Sequence, residues 1–246
     1  MTYKNKTALS IVELVVVLTI LGLLTTIITA SKVLIQQARI QSAISQLLNV
    51  ESSIYTFQLS YGFKPGDFPD AISWGTDICN LTGGTDGLNG NGNGRISNDE
   101  TSATAGFNDA IVESYATWCH LYTAQLTPYD ITPLTNKNTI PERNTNIAPS
   151  VLNDSAILHI AYDSDEKKNV IYIAEPTLNM DPLNSALTPS EANSIDNKLD
   201  NKRADRGRII GVKGDDATEE CLKSNNKKYD LSVNEKTCYI KYVLTH

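Results

Sequence analysis

The chain has 246 residues, is 41% hydrophobic and 20% charged, and carries a formal net charge of -7. That length has room for one anchoring segment and one globular domain. An acidic chain gains little from releasing counterions at phosphates, so nucleic acid is not an expected partner.

Residues 1–8 form a short leader whose charges are Lys4 and Lys6. From Leu9 to Ser31 the chain is almost wholly apolar, and its single charge is Glu13. About 20 such residues cross a hydrocarbon core of about 30 Å, so residues 9–31 read as a transmembrane helix. A carboxylate inside such a run costs about 3 kcal/mol and marks function by default. Further along, apolar residues recur at Ile40, Ile44, Leu47, Leu48, Ile54, Tyr55 and Leu59, which is helical spacing. No Gly or Pro interrupts residues 23–61, and Gly62 with Pro65 supplies the stop. Residues 32–61 therefore continue the same helix and present an apolar stripe to a head, residues 62–246.

Within the head, a second helix is predicted over residues 107–126. Ile111, Tyr115, Trp118, Leu121 and Tyr122 fall on one face of it, and Pro128 ends it. Residues 156–162 and 169–174 read as strands joined by a polar turn, a hairpin. Thr188, Pro189 and Glu191 have the spacing of a capping box that opens a short helix. Residues 208–212 and 238–244 read as further strands. The basic run at 198–208 reads as a solvated surface loop. The expected fold class is α+β, a long N-terminal helix packed on a small antiparallel sheet of three or four strands.

One loop has metal-site spacing. Asn89, Asn91 and Asn93 occupy positions one, three and five of a twelve-residue EF-hand-like calcium loop, with Gly94 at six and Glu100 at twelve. Arg95 and Ser97 stand at positions seven and nine, and Ile96 at eight. In such a loop alternate oxygens converge on one ion, glycine permits the sharp turn and a bidentate Glu closes the shell. Asparagines in place of aspartates weaken the site, toward about 10⁻⁴–10⁻³ M for calcium. Asp86 or Asp99 could add a second carboxylate. The bland reading of the same residues is a metal-free Gly/Asn turn.

The four cysteines, Cys79, Cys119, Cys221 and Cys238, fit an exported domain. They allow three connectivities. No enzymatic constellation is present. Cys119 and His120 are adjacent on a helix, so their side chains diverge and cannot form a nucleophile–base pair. His159 lies in an apolar strand, and His246 is the last residue. The expected chemistry is therefore structural, with no catalytic residues.

The N-terminal pattern resembles that of type IV pilins and type II secretion pseudopilins. It consists of a basic leader, a small residue, an apolar run and a glutamate five residues into that run. The resemblance implies cleavage by a prepilin peptidase between Ala8 and Leu9, N-methylation of Leu9 and an assembly role for Glu13. It also implies a single-pass inner-membrane protein with a cytoplasmic N-terminus and a periplasmic head, later drawn into a pilus or pseudopilus. Its partners would be the peptidase, the membrane and other pilin or pseudopilin subunits. Many pilins close a polar loop near the C-terminus, which implies a Cys221–Cys238 disulfide and leaves Cys79 and Cys119 as the other pair.

Three head blocks extend the likeness to a subset of these proteins. They are the turn at residues 60–71, the helix carrying Glu113, Ala116, Trp118, His120 and Leu121, and the block from Thr188 to Asp200. The function this implies is a filament subunit, a minor pilin or pseudopilin. The alternative is a membrane-tethered periplasmic binding module, calcium-stabilised or not, that never assembles.

Overall fold

Helix α1 spans Ile11–Tyr61, 51 residues, in a computed structural model that describes residues 10–74, 89–97, 113–134, 139–180, 183–225 and 227–245. The chain divides into two compact units, Met1–Arg39 and Ile40–His246, and α1 contributes to both. In the second unit Ile40, Ala43, Ile44, Leu47, Val50, Ile54 and Phe57 are buried. At about 100° per residue they share one arc of the helix. Leu48 and Leu59 lie off that arc and are exposed, Leu59 by 88%. The helix ends as its spacing predicts, at Gly62, which has φ +80°.

The head is α+β with an antiparallel five-stranded sheet. Its strands are β1 Ala148–Pro149, β2 Ile157–Asp163, β3 Lys168–Ala174, β4 Ile209–Lys213 and β5 Cys238–Val243. Their order is β1-β2-β3-β5-β4, so the last strand inserts between β3 and β4. The β2–β3 hairpin pairs Ile157 with Ala174 at one end and Asp163 with Lys168 at the other. Asp163 closes its turn by accepting the Asp165 and Glu166 N–H groups, each at 2.9 Å. Both strands are buried on both faces over most of their length. A sheet covered on both sides reads as a near-continuous apolar run, which is why Ile157, Leu158, Ile160, Val170, Ile171 and Ile173 all lie in the core.

Polar links tie the second half of α1 to the rest of the head. Glu51 is 8% exposed and accepts Arg208 Nη2 at 2.7 and 2.8 Å, together with the Tyr242 hydroxyl at 2.5 Å. Gln46 donates to Pro149 O and accepts Val151 N–H, at 2.7 and 2.9 Å. Each bond holds a charged or amide group that burial would otherwise leave unpaired, at about 1–3 kcal/mol.

Helix α2 is described over Glu113–Thr123; it ends before the expected 126, and residues 107–112 lie outside those described. It is not one-sided: residues 113 to 121 are all buried. Helix α3, Pro189–Leu199, opens on the predicted capping box. Thr188 Oγ1 accepts the Glu191 N–H and Glu191 accepts the Thr188 N–H.

Asp196 on α3 is fully buried, and its Oδ1 accepts the Lys202 N–H at 3.0 Å. Burial, the largest influence, pushes its carboxyl up to about 6 from 3.8. A raised carboxyl favours the protonated native state, so its contribution to stability is complete below about pH 4 and is lost as pH rises through about 6. Melting temperatures measured across that window should fall with rising pH. Asp196→Asn, which keeps an acceptor for Lys202, should flatten the slope.

The Cys221–Cys238 disulfide is present, across a separation of 17 residues. Cys119 is also disulfide-bonded; its expected partner Cys79 lies outside the described residues. Closing a loop of that size stabilises by about 3 kcal/mol. Cys221→Ser should therefore lower the unfolding free energy of the head by about that amount in urea titrations.

The expected single-pass inner-membrane location is corrected by the structure. Among the described residues no helix is long and apolar enough to cross a membrane. The segment remains an apolar packing surface, without a bilayer assigned to it.

Candidate functional site

Two features of the chain are built for something beyond core packing. The first is the start of α1. Ile11, Val12, Leu14, Val15, Val16, Val17, Leu18, Ile20, Leu21, Leu23 and Leu24 are each about half exposed or more. They occupy every face of the helix, whereas a helix serving only its own core shows one apolar stripe. Contiguous exposed apolar surface of this kind marks an interaction site.

Glu13 sits at the third position of the helix. Its Oε2 accepts the Ser10 N–H at 3.1 Å, and Ser10 Oγ accepts the Val12 N–H at 3.3 Å. Ser10 and Glu13 thus form a capping pair, and the carboxylate also opposes the positive end of the helix dipole. The S-x-x-E spacing before an apolar run is the sequence signal of this cap. A carboxylate has about four acceptor positions, so one capping bond leaves capacity for a further cation. Ala8 and Leu9, the expected cleavage and methylation residues, lie outside the described residues.

The second feature is an interlock of the turn after α1, the Asn/Gly loop and α2. Asp67 is 1% exposed, and its carboxylate accepts the Asn93 and Gly94 N–H groups at 3.0 and 2.7 Å. Gly90 and Gly92 donate to the carbonyls of Phe68 and Asp67 at 2.8 and 3.1 Å. On the other side Glu113 accepts the Asn91 and Ser97 N–H groups, each at 2.9 Å. Burial raises the Asp67 carboxyl above its ordinary value, against the loop N–H bonds and Lys64, which lower it.

Helix α2 also grips the turn. His120 Nδ1 accepts the Gly66 N–H at 2.8 Å, and the ring stacks on Phe57. Thr117 Oγ1 donates within reach of the Glu113 and Pro65 carbonyls. Asn169 completes the cradle from β3, accepting the Ile96 N–H and donating to Gly94 O. A chain of this kind satisfies the buried polar groups of an irregular loop, which are expensive to leave unpaired.

The calcium-loop residues are therefore placed as follows. Asn91 and Asn93 turn their side-chain carbonyls to the N–H groups two residues on, at 3.0 and 2.8 Å, as Asx turns. Arg95 lies over the Tyr162 ring, 4.6 Å from its centroid. Asn89 and Ser97 are half-buried. Glu100, Asp86 and Asp99 lie outside the described residues. Among the described residues no group of three or more His, Cys, Asp or Glu could hold a metal ion. Asp67 and Asn169 were not singled out in the sequence; Asp67 follows a Pro-Gly turn, and that was its only local signal.

His159 is fully buried in β2 against Tyr172, and burial lowers it to about 3, so it is neutral at pH 7. Cys119, beside His120, is committed to a disulfide. Neither the protein-family models nor the curated proteins nor the solved structures compared with this chain contain a match to it.

Proposed function

We propose that this chain is a structural subunit of a helical filament, in the manner of a minor pilin or pseudopilin. In this reading the start of α1 packs with the same helix of neighbouring subunits. The observation that supports it most is the all-round exposure of apolar side chains between Ile11 and Leu24. Each Val, Leu or Ile taken fully out of water returns about 1.5–3 kcal/mol. A bundle of identical helices would cover every face at once, which a single partner surface would not.

The lone carboxylate fits the same reading. Removal of residues 1–8 by a prepilin peptidase would leave the Leu9 amine as a new cation, to be N-methylated. In an assembled core that cation would pair with Glu13 of a neighbour, since a buried carboxylate needs a cation. Such pairing sets the stagger between subunits while the apolar seams supply the attraction. The head, through its interlocked loop and sheet, would form the outer surface.

Intact-mass analysis of the chain co-expressed with a prepilin peptidase tests the proposal. The expected species begins at Leu9 and carries a methyl group. A chain that keeps Met1 and stays monomeric after detergent removal would favour the non-assembling binding module instead.

A further inference from the structure

We propose that the cleft between α3 and the disulfide-closed loop binds an acidic sugar, through its carboxylate or sulfate group and its hydroxyls. The cleft has a volume of about 320 Å³, at the small end of ligand pockets and sized for one or two sugar units. Its cations come from two separate stretches of an acidic chain, Lys202 from one and Lys223 with Lys228 from the other. All three are exposed, and among the described residues none forms a direct ion pair, the Asp230 carboxylate acting on Lys223 only at longer range.

The fold brings these lysines together at one cleft, which suits an anionic ligand. Lys223 donates its N–H to Lys228 O at 2.9 Å, beside the antiparallel bridge of Leu222 with Tyr229. Like charges set opposite each other on paired strands are destabilising. Lys202 has φ +66°, a left-handed conformation that suits glycine or asparagine better than lysine. The Asp196 carboxylate holds it there through its N–H at 3.0 Å. Ala204 N–H donates to Lys227 O at 3.3 Å, joining the two basic stretches, and Cys221–Cys238 anchors the second of them.

The remaining walls match a sugar better than a bare anion. Asn193 and Asn197, one turn apart on α3, present two amides, each with donors and an acceptor for hydroxyls. Leu231, 54% exposed, offers an apolar rim for the C–H face of a ring. Tyr229 forms a firm wall, because its ring packs against Gly211 where a Cβ would collide with it. Inorganic phosphate could use the lysines and the amide N–H donors, but neither the amide acceptors nor the apolar rim.

Calorimetric titration of the full-length chain at low salt tests this, with a galacturonate disaccharide, a sulfated disaccharide, a neutral galactose disaccharide, inorganic phosphate and a glutamate-rich peptide as probes. At least one acidic disaccharide should bind saturably and at least about tenfold more tightly than the neutral one, the worth of one charge-assisted hydrogen bond. Lys223→Ala/Lys228→Ala should weaken it by about tenfold or more, and added salt should do likewise. Asn197→Ala should weaken the disaccharide more than phosphate, because only a hydroxyl uses the amide as both donor and acceptor. The double lysine variant should melt at the native temperature or above it, since it removes a repulsion.

Absence of saturable disaccharide binding would overturn the proposal. So would equal binding of the neutral sugar, or of phosphate with no effect of Asn197→Ala, or tighter binding of the peptide. A lower melting temperature for the double lysine variant would show that the lysines serve the fold.

Discussion

If the chain assembles as proposed, Glu13→Ala is expected to abolish filament formation while leaving the fold of the head unchanged. In the isolated subunit the substitution removes the acceptor for the Ser10 N–H and the third-position carboxylate at the helix start. Losses of that kind cost about 1 kcal/mol and fray only the first turn. In a packed core the consequence is larger. The Leu9 amine of a neighbour would be buried with no counter-charge, and breaking a buried pair from one side costs about 3–5 kcal/mol. That penalty recurs at every subunit added.

Glu13→Gln separates the two roles of the side chain. It keeps an oxygen that can cap Ser10 but carries no charge. Filaments seen by electron microscopy with Gln but not with Ala would assign Glu13 to capping alone. Filaments from the Ala variant, expressed without the native chain, would remove the electrostatic basis for the proposed stagger. Loss in both is the expected result.

Gly66→Ala should be among the most damaging single substitutions in the head. Gly66 has φ +87°, and a Cβ there would collide with the Glu113 carbonyl oxygen and with Thr117 Oγ1. The backbone strain alone costs about 1–2 kcal/mol. Overpacking against α2 backbone adds about 1–3 kcal/mol, because the helix cannot retreat without surrendering the His120 bond to Gly66 and the Glu113 bonds to the loop. The expected loss is about 3 kcal/mol or more in urea unfolding.

Gly94→Ala is the natural comparison. It has φ +86° but open space where the Cβ would go, so it should lose only the strain, about 1–2 kcal/mol. Equal losses for the two variants would mean that α2 does not clamp the turn as described.

Much of the fold was legible because it rests on local signals. The buried arc of α1, its stop at Gly62, the β2–β3 hairpin and the Thr188 capping box all depend on residues a few positions apart. Each lies near where periodicity, turn composition and cap chemistry place it. The Ser10–Glu13 cap is equally local, three residues apart.

What the sequence determined by itself, then, is the set of elements and the presence of one carboxylate in an apolar helix start. The tertiary structure alone decided the pairing of distant groups. Asp67 meets Gly94 across 27 positions, Asn169 meets Gly94 across 75, and β5 slips between β3 and β4. It also decided that the Asn/Gly loop turns its N–H groups on buried carboxylates, and that lysines from two stretches face one cleft. Such contacts leave no periodic trace, because a polar residue in a loop has the same spacing whether it meets water or a partner far along the chain. Only burial, which withdraws the water, makes the partner obligatory.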